Sequence, residues 1–397
     1  MALKYIDQID LKGKKVIARF DFNVPFDKKD KSKISDTTRM DSAMQTIRYI
    51  LEHGASKLIM MSHLGRPDGQ VKKEFSLAPV AKYLSEKLGQ EVILTQTALD
   101  SAIPNLLKLP TTKIVLLENI RFHAEEEENY RDFAQVLAGY GDIYINDAFG
   151  TAHRKHASTY EIVHFFKNKC AAGFLMKKEV EALGKVVDSP AKPFVAIVGG
   201  AKVGDKIKII ERLLSNCDTM LIGGAMAYPF LKAQGHMVAK SLCAEEDVAL
   251  ARMILNDKKT ASKIVLPADH VISTGPDGKG EVCPNVNMPE DKMGLDIGPK
   301  TIENYKKKIM GAKTVLWNGP MGYFESAEFA KGTMDIARAL AECKAFTVIG
   351  GGDSVSAVNK AKVADRMGHV STGGGASLEF IEQGTLPGVQ ALKFGVE

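Results

Sequence analysis

Phe346-Thr347-Val348-Ile349-Gly350-Gly351-Gly352-Asp353-Ser354 reads as an apolar strand, a bare glycine turn and the start of a helix. Further on, His369 to Thr372 leads into Gly373-Gly374-Gly375 and repeats the arrangement. Two earlier junctions share it: Val195-Ala196-Ile197-Val198-Gly199-Gly200 and Met220-Leu221-Ile222-Gly223-Gly224. Glycine lets an anion approach the backbone, and the first helical N–H groups point at it. All four junctions lie in the second half of the chain. The first half carries short His/Arg/Asn motifs instead. That asymmetry points to a nucleotide site in one half and an anionic substrate site in the other.

Outward from these junctions, strand-like and helix-like segments alternate. In the first half, Lys15 to Phe22, Lys57 to Ser62, Glu91 to Leu94, Lys113 to Leu117 and Asp142 to Asn146 read as strands. Asp41 to His53 and Leu77 to Leu88 read as helices. In the second half, strands are expected at Phe194 to Val198, Thr219 to Ile222, Lys263 to Leu266, Thr314 to Trp317 and Phe346 to Ile349. Helices are expected at Lys206 to Leu214, Asp247 to Leu255, Thr301 to Met310 and Ala327 to Cys343. The strands are continuous apolar runs, as in a parallel sheet covered on both faces. The expectation is α/β, with two doubly wound parallel-sheet (Rossmann-like) domains joined by a hinge helix. Residues 1–170 form the first domain and 189–384 the second. The connector is 171–188, where the charged, helix-forming stretch Lys177 to Val187 runs into the proline-flanked Asp188 to Pro193.

Bulk properties fit this plan. A chain of 397 residues suits two domains. A net charge of +5 favours small anions, and no Lys/Arg block with interleaved aromatics suggests nucleic acid. No apolar run approaches membrane-spanning length. The five cysteines are widely spaced and lack a C-x-x-C, which argues for isolated thiols in a reducing cytoplasm.

Motifs follow the strand ends, where ligands bind in such folds. Asp21-Phe22-Asn23-Val24-Pro25 can hold hydroxyl and carboxylate groups, or simply make a turn. Ser62-His63-Leu64-Gly65-Arg66-Pro67 can present two donors to one anion, or be a loop with a solvated Arg. Arg121 and Arg154 each lie just past a strand end, and Arg39 precedes a helix. Any one is ordinarily a surface charge, but topology makes them converge. His63, His123, His153 and His156 lack metal-ligand spacing and read better as hydrogen-bonding groups.

In Gly199-Gly200-Ala201-Lys202-Val203-Gly204-Asp205-Lys206 the glycines and lysines follow a strand, yet the Walker pattern is absent. A solvated Lys206 is the dull alternative, but a cation at a helix N-terminus is misplaced unless an anion joins it. Asp353 can be an N-cap; if the glycines bind phosphate, it should hold Mg²⁺. Glu325, after Trp317-Asn318-Gly319-Pro320-Met321-Gly322-Tyr323-Phe324, can accept ribose hydroxyls or stand exposed in a turn.

Together these motifs resemble the phosphoglycerate kinase family over essentially the whole chain. The resemblance rests on Arg19 to Pro25, Ser62 to Pro67, Asn146 to Arg154, Gly199 to Lys206, Trp317 to Glu325, Gly350 to Asp353 and Ser371 to Ser377. It implies reversible, Mg²⁺-dependent phosphoryl transfer from 1,3-bisphosphoglycerate to ADP, giving 3-phosphoglycerate and ATP. It implies that Asp21, Asn23, Arg39, His63, Arg66, Arg121 and Arg154 form the 3-phosphoglycerate site. It implies that Lys202, Lys206, Asn318, Glu325, Gly351, Gly352 and Asp353 handle nucleotide and metal. Gly200, Ala201, Gly223, Gly224, Gly350 and Ser354 join the nucleotide side. It implies a monomer whose domains close, with 385–397 packing back on the first domain. Gly204, Lys155, Pro229 and Tyr323 depart from the commoner pattern, and Gly204, Pro229 and Tyr323 bear on the nucleotide pocket.

In the ATP-consuming direction the nucleophile is a carboxylate, ionised above about pH 4, so no general base is needed. Positioning and fixed cations carry such a reaction. Arg39 and Lys202 are expected to flank the moving phosphoryl, with the backbone at Gly351 and Gly374 adding helix N-termini. A dinucleotide dehydrogenase would need G-x-G-x-x-G after its first strand, which is missing. A non-catalytic nucleotide-binding protein would be suggested by loss of Lys202, Asp353 or Arg39; all are present.

Overall fold

The computed structural model describes residues 2–27, 30 and 33–395. These divide into two compact units, one of residues 1–181 with 385–397 and one of residues 182–384. The division falls inside the helix Phe174–Val187.

The first unit is built on six strands: β1 (Lys15–Arg19), β2 (Lys57–Met61), β3 (Val92–Leu94), β4 (Ile114–Leu116), β5 (Ile143–Asn146) and β6 (Cys170–Ala172). All pair in parallel, in the order β3-β4-β2-β1-β5-β6. Every residue of β2 and β5 is buried, as a sheet covered on both faces requires. The order reverses between β1 and β5, which opens a crevice at their C-terminal ends. The helix Thr38–Glu52 turns Met40, Ala43, Met44, Ile47 and Ile50 inward at helical spacing. Burial raises the carboxyl pKa of Asp147, just past β5, to about 6; its Oδ1 accepts from Met176 N at 3.0 Å and so anchors the first turn of Phe174–Val187.

The second unit holds β7 (Phe194–Val198), β8 (Thr219–Ile222), β9 (Ile264–Val265), β10 (His270–Ser273), β11 (Glu281–Cys283), β12 (Met293–Ile297), β13 (Thr314–Asn318), β14 (Phe346–Gly350) and β15 (His369–Val370). Six form a parallel sheet ordered β15-β14-β13-β7-β8-β9, whose reversal point lies between β7 and β13. The fully buried Trp317 on β13 sits in the core with Ile197, Val315 and Ile336, and its Nε1 donates to Gly319 O at 2.7 Å.

Three expectations need correction. The first strand stops at Arg19 instead of Phe22, because Phe22 N donates to Ser62 Oγ and leaves the ladder. The segment expected as one helix from Ala327 to Cys343 is a 3₁₀ turn, Ala327–Phe329, followed by the helix Lys331–Glu342. The buried Asp296 carboxylate accepts from Gly332 N at 2.6 Å and pins that start. The antiparallel sheet β11-β10-β12 was not expected at all, since its strands are short and separated by connections rich in Gly, Pro and Asp.

Candidate active site

In the first unit, the residues singled out from sequence gather at the ends of β1, β2, β4 and β5. Asp21 and Arg39 form an ion pair. Gly150, in the loop after β5, packs so closely on Asp21 that a methyl there would overlap the carboxylate. Asn23 Oδ1 accepts from Gly65 N at 2.9 Å, tying the β1 turn to the β2 loop. Arg121 is buried beside it and donates from Nη1 to Gly65 O at 3.2 Å, with Glu127 3.4 Å from its Nε. Arg154 Nε donates to His153 Nε2 at 3.2 Å. Arg66 is exposed.

The arginines set the electrostatics. Burial, and then Arg19, Arg121 and Arg39, hold His63 well below its ordinary pKa. Burial, and then Arg121, Arg19 and Arg154, bring His156 down to about 3. Burial and then Arg154 also lower His153. At neutral pH these rings are uncharged donors and acceptors, and the positive charge resides on guanidinium groups.

Sequence reasoning missed what lies beneath. Arg19 is fully buried on β1, with Ser158 and the equally buried Glu126 behind it. The signal was a lone arginine inside an otherwise apolar strand.

In the second unit, a cavity of about 300 Å³ opens at the reversal point of the sheet. Ala225, Tyr228, Leu242, Met293, Leu295 and Pro320 give it apolar walls. Gly200, Ala201, Gly224, Glu325 and Asp353, all singled out from sequence, line it as well. The apolar walls were hidden because such residues look like core. Tyr323 stands at the edge, and Pro229 lies in the first turn of the helix Ala227–Ala233, where proline is tolerated.

Other singled-out residues sit behind this cavity or beside it. Lys206 is the residue before the helix Ile207–Asn216, and its side chain is half-buried. Its Nζ donates to Gly199 O at 2.7 Å, with Asn318 O at 3.5 Å, over the junction of β7 and β13. Burial lowers its pKa to about 8, against the opposing pull of Asp353 and Asp205. Asn318 is buried; its Nδ2 donates to Gly350 O at 2.9 Å and its Oδ1 has no hydrogen-bond partner among the described residues. Ser354 is buried too, and its Oγ accepts from Gly319 N at 2.6 Å. Both residues therefore brace the glycine loops. Gly223 is tucked under Met321.

Lys202 is exposed. Asp353 is exposed in the first turn of the helix Gly352–Lys360, whose N-cap is Gly351 and not Asp353. Backbone around Gly352, Gly374 and Gly375 faces open space, and Gly374 caps the helix Gly375–Gln383. Two helix N-termini free of side chains are thus available to phosphate.

Among the described residues, no group of three or more His, Cys, Asp or Glu is placed to hold a metal. The exposed Asp353 carboxylate at the cavity edge fits Mg²⁺ that arrives with nucleotide phosphates, since Mg²⁺ takes one or two carboxylates and keeps other oxygen ligands.

An arginine-lined crevice at one sheet's reversal point, and a glycine-looped, apolar-walled cavity at another's, make a two-unit α/β kinase scaffold for small anions. The profile of the phosphoglycerate kinase family matches residues 6–384, and the chain belongs to that family. Phosphoglycerate kinase of Anaeromyxobacter sp. (strain Fw109-5) is 51% identical over 99% of this chain and 100% of its own. That of Clostridium novyi (strain NT) is 49% identical over 98% of each. Among solved structures, phosphoglycerate kinase from Coxiella burnetii superposes with a TM-score of 0.90 at 37% identity, covering 100% of both chains. The enzyme from Pyrococcus horikoshii OT3 gives 0.82 at 31%, covering 99% of both.

Proposed function

We propose that this chain moves a phosphoryl group reversibly between 1,3-bisphosphoglycerate and ADP, with 3-phosphoglycerate and ATP as the other pair. One observation carries the assignment of sites: the arginines converge on the first sheet's reversal point, and open glycine backbone surrounds the second's. Asp21, Asn23, Arg39, His63, Arg66, Arg121 and Arg154 take 3-phosphoglycerate. Ala201, Lys202, Glu325, Asp353 and the glycine loops take the nucleotide. Asp353 would hold Mg²⁺, which supplies positive charge against the nucleotide phosphates. The attacking carboxylate is already ionised, so the protein's own work is to hold anions in line and to neutralise the moving group. The enzyme is taken to act as a cytoplasmic monomer on small molecules, without nucleic acid or membrane; no helix among the described residues is long and apolar enough to cross one. A coupled assay with 3-phosphoglycerate and MgATP tests the reading, and absence of turnover would sink it.

Each reactant has its own unit, so transfer sheltered from water requires the units to close on each other. Small-angle scattering should show compaction when both substrates are bound, and no change of radius would count against closure.

The position of Lys206 predicts a pH effect. With a pKa of about 8, its protonated fraction falls from about nine-tenths at pH 7 to about one-tenth at pH 9. The cation favours an anionic ligand, so nucleotide affinity should weaken as pH rises through 8, by up to ~10-fold. Calorimetric titration with MgADP at pH 7 and 9 measures it; equal affinities would remove Lys206 from the site's charge balance.

A further inference from the structure

Beneath the arginine crevice runs a line of buried polar groups that the reaction, as proposed, does not use. Arg19 is fully buried. Its Nε donates to Ser158 Oγ at 2.9 Å, its Nη1 donates to Phe20 O, and its Nη2 lies 3.2 Å from His63 Nδ1. Ser158 Oγ donates onward to Glu126 Oε1 at 2.6 Å, and Ser158 N donates to Glu126 Oε2 at 2.9 Å.

A guanidinium carries donors alone and stays protonated in proteins. The contact between Arg19 and His63 therefore runs one way, with Nδ1 as the acceptor. The ring's proton must then sit on Nε2. Asp21 Oδ1, at 3.9 Å from Nδ1, is beyond hydrogen-bond reach and cannot hold the opposite tautomer. Nε2 takes part in no hydrogen bond among the described residues.

We propose that Glu126 and Ser158 are positioning residues: they hold Arg19 so that it locks His63 as the neutral Nε2–H tautomer, the form that donates to the anionic substrate. This rests on the reading of His63 as a 3-phosphoglycerate contact. A histidine charged by protonation would lose its grip as pH rose through neutrality; this one would not. The groups facing it are Arg19 on β1, Asp21 in the following turn, Arg39 on the helix Thr38–Glu52, Arg121 after β4 and His156 after β5. Three of the five are permanent cations, and with burial they keep the ring unprotonated. A purely structural role for the buried line would leave the tautomer undetermined.

The test uses the full-length protein with ¹⁵N-labelled histidine. Two-bond ¹H–¹⁵N correlation at pH 6 to 8, with the signal assigned through His63→Gln, should give the Nε2–H pattern throughout. An Nδ1–H pattern or an imidazolium at pH 7 overturns the proposal. Ser158→Ala should let the other tautomer appear and raise KM for 3-phosphoglycerate by about tenfold, with KM for MgATP unchanged. An unaltered tautomer and KM in that variant would remove the positioning role. If Ser158→Ala does not fold, His63→Gln and His63→Asn decide the matter without touching the buried line. Glutamine reaches the place of Nε2 with an amide donor and should keep the lower KM; asparagine reaches only the place of Nδ1. Equal values overturn the proposal. A wild-type protein inactive on 3-phosphoglycerate would fail the functional reading instead, and the tautomer would still be measured.

Discussion

Arg39→Ala should lower kcat by ~10³-fold while the protein stays folded, the scale on which an arginine that stabilises a moving phosphoryl acts. Arg39 lies in the first turn of its helix, where a cation opposes the helix dipole. It is paired with Asp21, but about a third of its side chain remains exposed. The pair joins this partly exposed guanidinium to the buried Asp21 carboxylate, which would be left without its cation, so a loss of about 1–3 kcal/mol is expected and the melting temperature should fall by several degrees with the fold retained. Lys202→Ala is the cleaner companion. That side chain is exposed, so its removal should leave Tm unchanged while kcat falls by orders of magnitude. Turnover near the wild-type rate in either variant, measured in the coupled assay, would dismiss the residue from phosphoryl transfer.

The second large effect is expected from Gly319→Ala. Gly319 has a φ of +97°, which L side chains rarely adopt. A methyl there would overlap the carbonyl of Gly199 and come 2.6 Å from Lys206 Nζ. It would part the β7 and β13 loops and lift Lys206 from its carbonyl seat. We expect a loss of ~3 kcal/mol in stability and at least ~10-fold weaker MgADP binding. Gly352→Ala is the contrast. Nothing lies within 4 Å of its added methyl, and it opens a helix, so stability should hold or rise by up to ~1 kcal/mol. If phosphate approaches that backbone, affinity should nevertheless fall. Thermal unfolding and calorimetry separate the two; parallel losses in both variants would mean that these glycines serve packing alone.

Much of this was legible because the relevant residues break a local rule. Arg39 and Lys206 are cations at helix starts, and the glycine triplets end strands that otherwise read as continuous core. Parallel topology did the rest, since it sends successive strand ends to one edge. The strand and helix order of both large sheets follows from apolar runs long enough to be unambiguous. What stayed hidden depends on contacts far apart in sequence. Arg19 sits within an apolar strand, and its partners Glu126 and Ser158 come from a helix and a loop remote from it along the chain. The walls of the cavity come from Tyr228, Leu242 and Met293, which no short pattern joins. Asn318 and Ser354 occupy motif positions yet spend their hydrogen bonds on the loops themselves. The sheet β11-β10-β12 pairs short strands across turns, where hydropathy carries no periodic signal.

The two units differ in how the chain supplies them. The second is one continuous stretch, whereas the first takes back residues 385–397 after the chain has left it. There the helix Pro387–Phe394 is fastened at its start, where Gly388 N donates at 2.8 Å to Ala152 O, in the loop that carries Arg154. On the ribosome, the second unit can therefore complete itself while its earlier-made neighbour still waits for the closing segment. A premature stop near the end of the message would leave a sound second unit attached to an unfinished first one.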